Sequence, residues 1–96
     1  MDAFEKTVLL AVCTLPAEDA RPTLAYRLER RIVREEGGCR FSFSIVCQAA
    51  DSEIACVEDL TSQNDIAKEI FYRLVKGSVT PCCFYEVLQD LVEDYL

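Results

Sequence analysis

The cysteines are the residues of this chain best suited to chemistry, because the sequence contains six of them and no histidine. A thiolate can act as a nucleophile, a redox centre or a metal ligand. The absence of histidine removes both the commonest general base and the commonest metal ligand. No two cysteines have the C-x2-C spacing of a structural zinc site. We therefore predict no metal, no cofactor and no catalytic residue, in a protein that is not an enzyme.

Cys82 and Cys83 form the most suggestive pair of thiols. Thr80 is a typical N-cap residue and Pro81 a typical first helical residue, so both thiols should lie in the first turn of a helix. The free N–H groups and the dipole of that helix end favour a thiolate. On a helical wheel centred on Phe84, Cys82 should be exposed and Cys83 marginal. Cys82 and Cys83 are the candidate reactive thiols; the alternative is that they only fill space as small apolar side chains.

Other features of the sequence predict reduced thiols in a cytoplasmic protein. Cys47 and Cys56 should lie diagonally on one face of a sheet, about 7–8 Å apart at Cα, which is too far for a comfortable disulfide. Met1 to Lys6 carry two acids and one base, the wrong balance for a signal peptide. No apolar run reaches the roughly 18 residues that are needed to cross a bilayer. We predict no membrane partner.

The net charge of −7 at pH 7 limits the partners that the chain can bind. A field of this sign repels nucleic acid and anionic membranes. Arginines are concentrated between residues 21 and 40, but strand alternation divides them over two faces, which weakens the case for a nucleic-acid interface. Acids on the outer side of the last helix and polar residues on the outer sheet face form the candidate interaction surface: Glu86, Asp90, Glu93, Asp94, Arg27, Arg31, Ser42 and Ser44.

Alternating sequence between residues 23 and 60 predicts an antiparallel β-meander. Gly37-Gly38 suits a two-residue hairpin loop, and Ala50-Asp51 marks a second turn. Closing the chain at both turns sends the same apolar residues to one face of the sheet, and we expect this face to be buried. Its predicted members are Leu28, Ile32, Phe43, Ile45, Cys47, Ile54 and Cys56.

Two features of this sheet stay open at the level of sequence. Residues 3–14 are apolar without a clear period, so they fit a strand or a short helix and could cover the outer sheet face. The sheet therefore has three or four strands. Arg30 and Glu58 interrupt the apolar face, and we expect them to pair with each other near its edge.

Two amphipathic helices are predicted after the sheet. Ser62 and Asp65 resemble a capping box, and Gly77 has the usual position of a helix-ending glycine. The short connector between the helices implies antiparallel neighbours that cover the apolar sheet face. The apolar stripes are Ile66, Ala67, Ile70, Phe71 and Leu74 in the first helix, and Phe84, Val87, Leu88, Leu91, Val92 and Tyr95 in the second.

Three segments in the second half of the chain carry a family resemblance. They are Val57-Glu58-Asp59-Leu60-Thr61, then Lys76-Gly77-Ser78-Val79-Thr80-Pro81, then Val87, Asp90 and Leu91-Val92-Glu93-Asp94-Tyr95-Leu96. Their order resembles a family of short bacterial proteins of unknown function, in which a β-meander is followed by two helices. The resemblance covers about residues 24–96, and Cys82-Cys83-Phe84 stands where that family often has a polar or histidine-containing helix start. It implies the fold and a cytoplasmic location, and it supplies no catalytic residue.

The sequence predicts one domain of residues 1–96, with an apolar strand or helix and a loop in 1–22, the meander in 23–60 and the helical pair in 62–96. The fold class is α+β: an antiparallel three- to four-stranded β-meander with two C-terminal helices packed on one face. The predicted function is a non-catalytic protein-interaction or regulatory module that forms a homodimer or binds another protein. The alternatives are a thiol-based redox or sensor protein using Cys82 and, as the weaker one, a nucleic-acid binder.

Overall fold

A four-stranded antiparallel sheet followed by two helices makes up the fold of this computed structural model, which describes residues 7–19, 21–50 and 53–95. The strands lie in the order β1-β2-β3-β4, so that each strand pairs with its neighbour in sequence. This arrangement confirms the predicted α+β fold. The elements are β1 (Thr7–Leu15), β2 (Leu24–Glu35), β3 (Gly38–Ala49), β4 (Ile54–Thr61), α1 (Asn64–Lys76), a 3-10 turn (Pro81–Cys83) and α2 (Phe84–Tyr95).

The core lies between one face of the sheet and the two helices. Alternate residues of β2 and β3 point to this face because side chains alternate along a strand. The helices contribute residues at helical spacing, as their stripes predict. None of the described helices is long and apolar enough to span a membrane. The buried apolar residues are Leu24, Tyr26, Leu28, Phe43, Ile45, Cys47, Ala49, Ala55, Ala67, Ile70, Leu74, Val79, Phe84 and Leu88.

The apolar N-terminal segment is a strand at one edge of the sheet. In β1, Cys13 is opposite Tyr26 and Leu15 is opposite Leu24, and a bulge shifts the register between Leu9 and Ala11. The open choice between strand and helix is thereby settled for residues 7–14, whereas residues 3–6 lie outside the described ones. Because β1 extends the sheet sideways, its described residues do not cover the outer face.

The first hairpin closes one residue earlier than predicted. Glu35 pairs with Gly38, so the loop residues are Glu36 and Gly37 rather than Gly37 and Gly38. Gly38 has a φ of +140°, a conformation that side-chain-bearing residues rarely adopt. This displacement moves each residue of β3 by two places along β2, so Ile32 faces Phe41 instead of Phe43. A two-residue shift keeps every side chain on its predicted face. Ile32 was nevertheless wrongly predicted to be buried, because it lies close to the hairpin turn and is exposed there.

The second hairpin reverses the predicted faces of β4. The N–H of Ala49 bonds the carbonyl of Glu53 and Cys47 pairs with Ala55, so an odd rather than an even number of residues separates the paired positions. An odd loop changes the pairing by one place, which turns every β4 side chain over. Ala55 and Val57 therefore face inward, opposite Cys47 and Ile45. Ile54 and Cys56, which were predicted to be buried, are exposed on the outer side, and Cys56 does not share a face with Cys47.

Both ends of α1 differ from the sequence prediction. The helix begins after Gln63, and no side-chain hydrogen bond caps it, so Ser62 does not form the expected capping box. At the other end the N–H of Gly77 bonds the carbonyl of Arg73, but Gly77 keeps a helical φ of −84°. The left-handed conformation falls one residue later, on Ser78, with a φ of +51°.

Candidate functional site

Cys82 and Cys83 lie in the 3-10 turn that leads into α2. Both side chains are exposed and neither is in a disulfide, which confirms the predicted exposure of Cys82. Their Sγ atoms are 3.8 Å apart, and the Cys82 Sγ is 3.2 Å from the Thr80 Oγ1. Thr80 makes no capping hydrogen bond through its side chain. The turn is only three residues long, so it supplies less of a helix N-terminus than the sequence predicts.

A cavity of about 500 Å³ opens beside Cys82. Arg21 is the basic residue of its lining, and it already bonds the carbonyl of Pro16 at 2.9 Å and contacts the Glu18 carboxylate at 3.6 Å. The acids of the lining outnumber it, so the lining does not concentrate positive charge around the thiol. The described residues of the lining are Glu18, Asp19, Arg21, Pro22, Ala49, Glu53, Thr80, Pro81 and Cys82.

The described cysteines are all free and differ mainly in their burial. Cys47 is fully buried among the core residues, and desolvation raises the pKa of its thiol to about 11. Cys39 and Cys56 are exposed, as are Cys82 and Cys83. Within the described ranges, no group of three cysteine or acidic side chains is placed to hold a metal ion.

Thiol alkylation should separate Cys47 from the exposed cysteines. In a brief iodoacetamide pulse on the native protein at pH 8, we expect Cys47 to react about a hundredfold more slowly, because its raised pKa alone lowers the thiolate fraction by about two powers of ten. Peptide mapping by mass spectrometry measures each rate. The same pulse in denaturant is the control and should remove the difference. Equal native rates for Cys47 and Cys39 would contradict the buried position of Cys47.

The acidic side of the candidate interaction surface is exposed as predicted. Glu86, Asp90, Glu93 and Asp94 all have exposed side chains on α2. Glu86 lies in the first turn of α2, whereas Glu93 and Asp94 lie in its last turn, which carries no basic residue and where the helix dipole is also negative. Arg73 on α1 supplies an opposite charge close to Asp94. Binding through this face stays a prediction.

The polar side of that surface is built differently from the prediction, because Ser42 and Ser44 are only 3% and 4% exposed. They support Asp59, which stands in an irregular part of β4 with a φ of +55°. The Ser44 hydroxyl accepts a bond from the Asp59 N–H at 3.4 Å, and Ser42 bonds the carboxylate. Arg40 donates two hydrogen bonds to the same carboxylate, at 2.8 and 2.9 Å. The hydrogen bonds from Arg40, which have the larger effect, and from Ser42 lower the pKa of Asp59 to about 2.

Several arginines predicted as a local basic region contact carboxylates instead of facing open solvent. Arg27 contacts Glu29 at 3.3 Å, and the Nε of Arg40 contacts Glu35 at 2.6 Å in addition to its bonds with Asp59. Arg31 also has an interaction partner. Pairing of this kind reduces the positive potential that a phosphate backbone would meet. It weakens the nucleic-acid alternative.

The two edges of the sheet differ in how their outward-facing main-chain groups are bonded. At the β4 edge, the Tyr85 hydroxyl accepts the Cys56 N–H at 3.2 Å and donates to the Cys56 carbonyl at 3.0 Å. These two main-chain groups are the ones that an incoming strand would use. At the opposite edge, no described element pairs with the outer side of β1. The β1 edge is therefore the more open of the two in the described part of the chain.

No protein family, curated protein or solved structure matches this chain. The function must therefore be argued from the site itself. The sequence analysis singled out Cys82 and the acids of α2, but it missed Tyr85. A lone tyrosine on the exposed side of a helix gives no signal that its hydroxyl reaches a strand edge, since that contact depends on how α2 packs beside β4.

Proposed function

We propose that this protein is a non-catalytic interaction module of the bacterial cytoplasm that binds a second copy of itself. In the proposed dimer the β1 strands of two copies pair edge to edge and join two four-stranded sheets. The resemblance of residues 24–96 to a family of short bacterial proteins supports the cytoplasmic setting and stays a prediction. The acidic face of α2 is then left free for a basic partner.

The single observation that carries this proposal is the composition of the open edge. The nine residues of β1 include no charged side chain, although charged residues make up 28% of the chain. Natural edge strands are usually protected by charge, proline or cover. In a two-fold dimer the two β1 strands are identical, so a charged side chain at the interface would lie close to the same charge on the partner strand. An uncharged strand avoids this repulsion. Leu9 and Val12 are more than half exposed and would be covered.

The dimer is tested by adding a charge to each sheet edge in turn. We expect the native chain to sediment with about twice its 10.9 kDa mass, and Val12→Lys to raise the dimer dissociation constant about tenfold or more, because two lysines approach across the two-fold axis. Ile54→Lys is the matched control: Ile54 is also apolar and similarly exposed, at 60% against 56% for Val12, but it lies on the β4 edge. Analytical ultracentrifugation measures both.

Two results would contradict the proposal in different ways. A native chain that stays monomeric at every accessible concentration excludes self-association. A dimer that dissociates with Ile54→Lys and survives Val12→Lys places the interface at the β4 edge. Circular dichroism of both variants shows whether the fold is retained.

A thiol-based redox or sensor function is the second candidate. The 3.8 Å separation of two exposed Sγ atoms beside a cavity favours it. Such a function requires Cys82 to react faster than a free cysteine, and the alkylation rates described above measure this directly. A Cys82 rate no higher than that of a cysteine peptide removes the candidate.

A further inference from the structure

Arg30 occupies a position in the core layer that its charge makes unfavourable. It belongs to the inward series of β2 and is opposite Phe43 on β3 and Val8 on β1. Its Nε is buried and has no hydrogen-bond partner, and its guanidinium lies 4.5 Å from the centre of the Phe41 ring. The predicted pairing with Glu58 is wrong, since Glu58 is exposed and forms no described contact with Arg30. A buried donor without an acceptor is unusual in a native protein and calls for an explanation.

Arg30 lines a groove of about 420 Å³ between the sheet and α1. Leu10, Phe41 and Phe43 give the groove an apolar lining, and the two phenylalanine rings meet edge to face with their centroids 6.5 Å apart. The polar groups of the lining are few, which is typical of small-molecule sites. They are Arg30, Lys68 and Asn64.

The charge of this groove is opposite to that of the protein as a whole. Arg30 and Lys68 are both cationic, and none of the described lining residues is acidic, in a chain with a net charge of −7. Asn64 is the first residue of α1, so the positive end of that helix dipole is also nearby. The preceding Gln63 leaves this helix end without a side-chain cap. An anion in the groove would meet two cations and free main-chain donors.

We propose that this groove binds a small carboxylate that has an apolar body. The carboxylate accepts hydrogen bonds from Arg30 and Lys68, and the apolar body rests on Leu10 and Phe41. A carboxylate fits because the guanidinium presents planar, fork-like donors to it. The groove lies on the inner side of the sheet, so binding there is independent of the edge-to-edge dimer proposed above.

The probe is benzoate, and its binding is followed through amide chemical shifts in nuclear magnetic resonance spectra of the Val12→Lys chain. We expect saturable shifts centred on Leu10, Phe41 and Lys68. In that background Arg30→Met, which keeps the length of the apolar stem, should weaken binding about tenfold or more. Lys68→Gln, at an exposed helix position, should weaken it about threefold. Benzamide, which has the same shape without the charge, should bind at least about tenfold more weakly.

Lys76→Gln is the matched control, because it removes the same charge from the same helix but at the end where Lys76 lies 5.7 Å from the Tyr72 ring. Its affinity for benzoate should be unchanged. Octanoate tests an aliphatic body, and inorganic phosphate tests an anion with no body. The proposal is overturned if neither benzoate nor octanoate binds, if benzamide or phosphate binds as tightly as the carboxylates, or if Lys68→Gln and Lys76→Gln have equal effects.

Discussion

Replacing Phe84 with alanine is expected to lower the free energy of unfolding by about 3–5 kcal/mol. Phe84 is fully buried at the start of α2, and its ring meets that of Tyr85 edge to face at 5.2 Å. The alanine leaves a cavity where α2 joins the sheet, and the surrounding side chains relax only in part. A chain of this length has a total stability of roughly 5–15 kcal/mol, so the loss is a large fraction of it. Urea denaturation measures the change.

Phe41→Ala is the matched control for this substitution. Phe41 is also a phenylalanine that contacts an aromatic neighbour, but it lies near the turn of the β2–β3 hairpin and is 44% exposed. We expect a loss of only about 1 kcal/mol there, from the smaller apolar area removed and from the lower strand propensity of alanine. Equal losses for the two variants would mean that α2 does not pack on the sheet as described.

Tyr26→Phe is expected to lower the free energy of unfolding by about 1–3 kcal/mol. Tyr26 is fully buried, and its hydroxyl donates to the Val79 carbonyl at 2.7 Å. The pKa of this hydroxyl is raised, chiefly by desolvation and then by Cys47, so it stays protonated and remains a donor. Without it the carbonyl keeps only the weak Cys47 thiol donor at 3.4 Å. The measurement is urea denaturation together with amide hydrogen exchange.

The hydrogen bond from Tyr26 joins the sheet to the connector between the helices. Its loss should therefore also destabilise the connector locally. We expect exchange of the Val79 amide, which bonds the Leu74 carbonyl, to increase more than exchange in β3. Tyr72→Phe removes the same hydroxyl from a side chain that is 55% exposed and should change stability by less than about 0.5 kcal/mol. A Tyr26 variant as stable as the Tyr72 variant would show that the bond adds nothing.

The fold class could be predicted from sequence because periodicity reports which residues are buried together. The apolar stripes of α1 and α2 are long enough to mark one face of each helix. In the β2–β3 hairpin the turn was misplaced, but the predicted faces stayed correct because a shift of two places preserves them. In β4 the same reasoning failed, since a loop of odd rather than even length turns Ile54 and Cys56 outward. Loop length is a property of the folded turn, and the residues of this loop carry no clear signal for it.

The candidate sites were less predictable than the fold because they depend on tertiary contacts. The sequence singled out Ser42 and Ser44 as surface residues, whereas their burial follows from Asp59 folding over them with a positive φ. The sequence shows Arg30 only as a charged residue on an apolar face. Its neighbour Phe41 follows it after the hairpin turn, and its neighbour Lys68 follows it after two further strands. No local pattern connects residues that only the packing of α1 on the sheet brings together.

The hydroxyl of Tyr85 has a consequence for how large an assembly this chain can build. A subunit with two bare sheet edges can add further subunits at both ends, and growth of that kind has no natural stop and produces fibres. Here the Tyr85 hydroxyl bonds both the N–H and the carbonyl of Cys56, so these two groups are not free to bond a strand of another subunit. In the dimer proposed above, this contact would disfavour the addition of further subunits at the β4 edge.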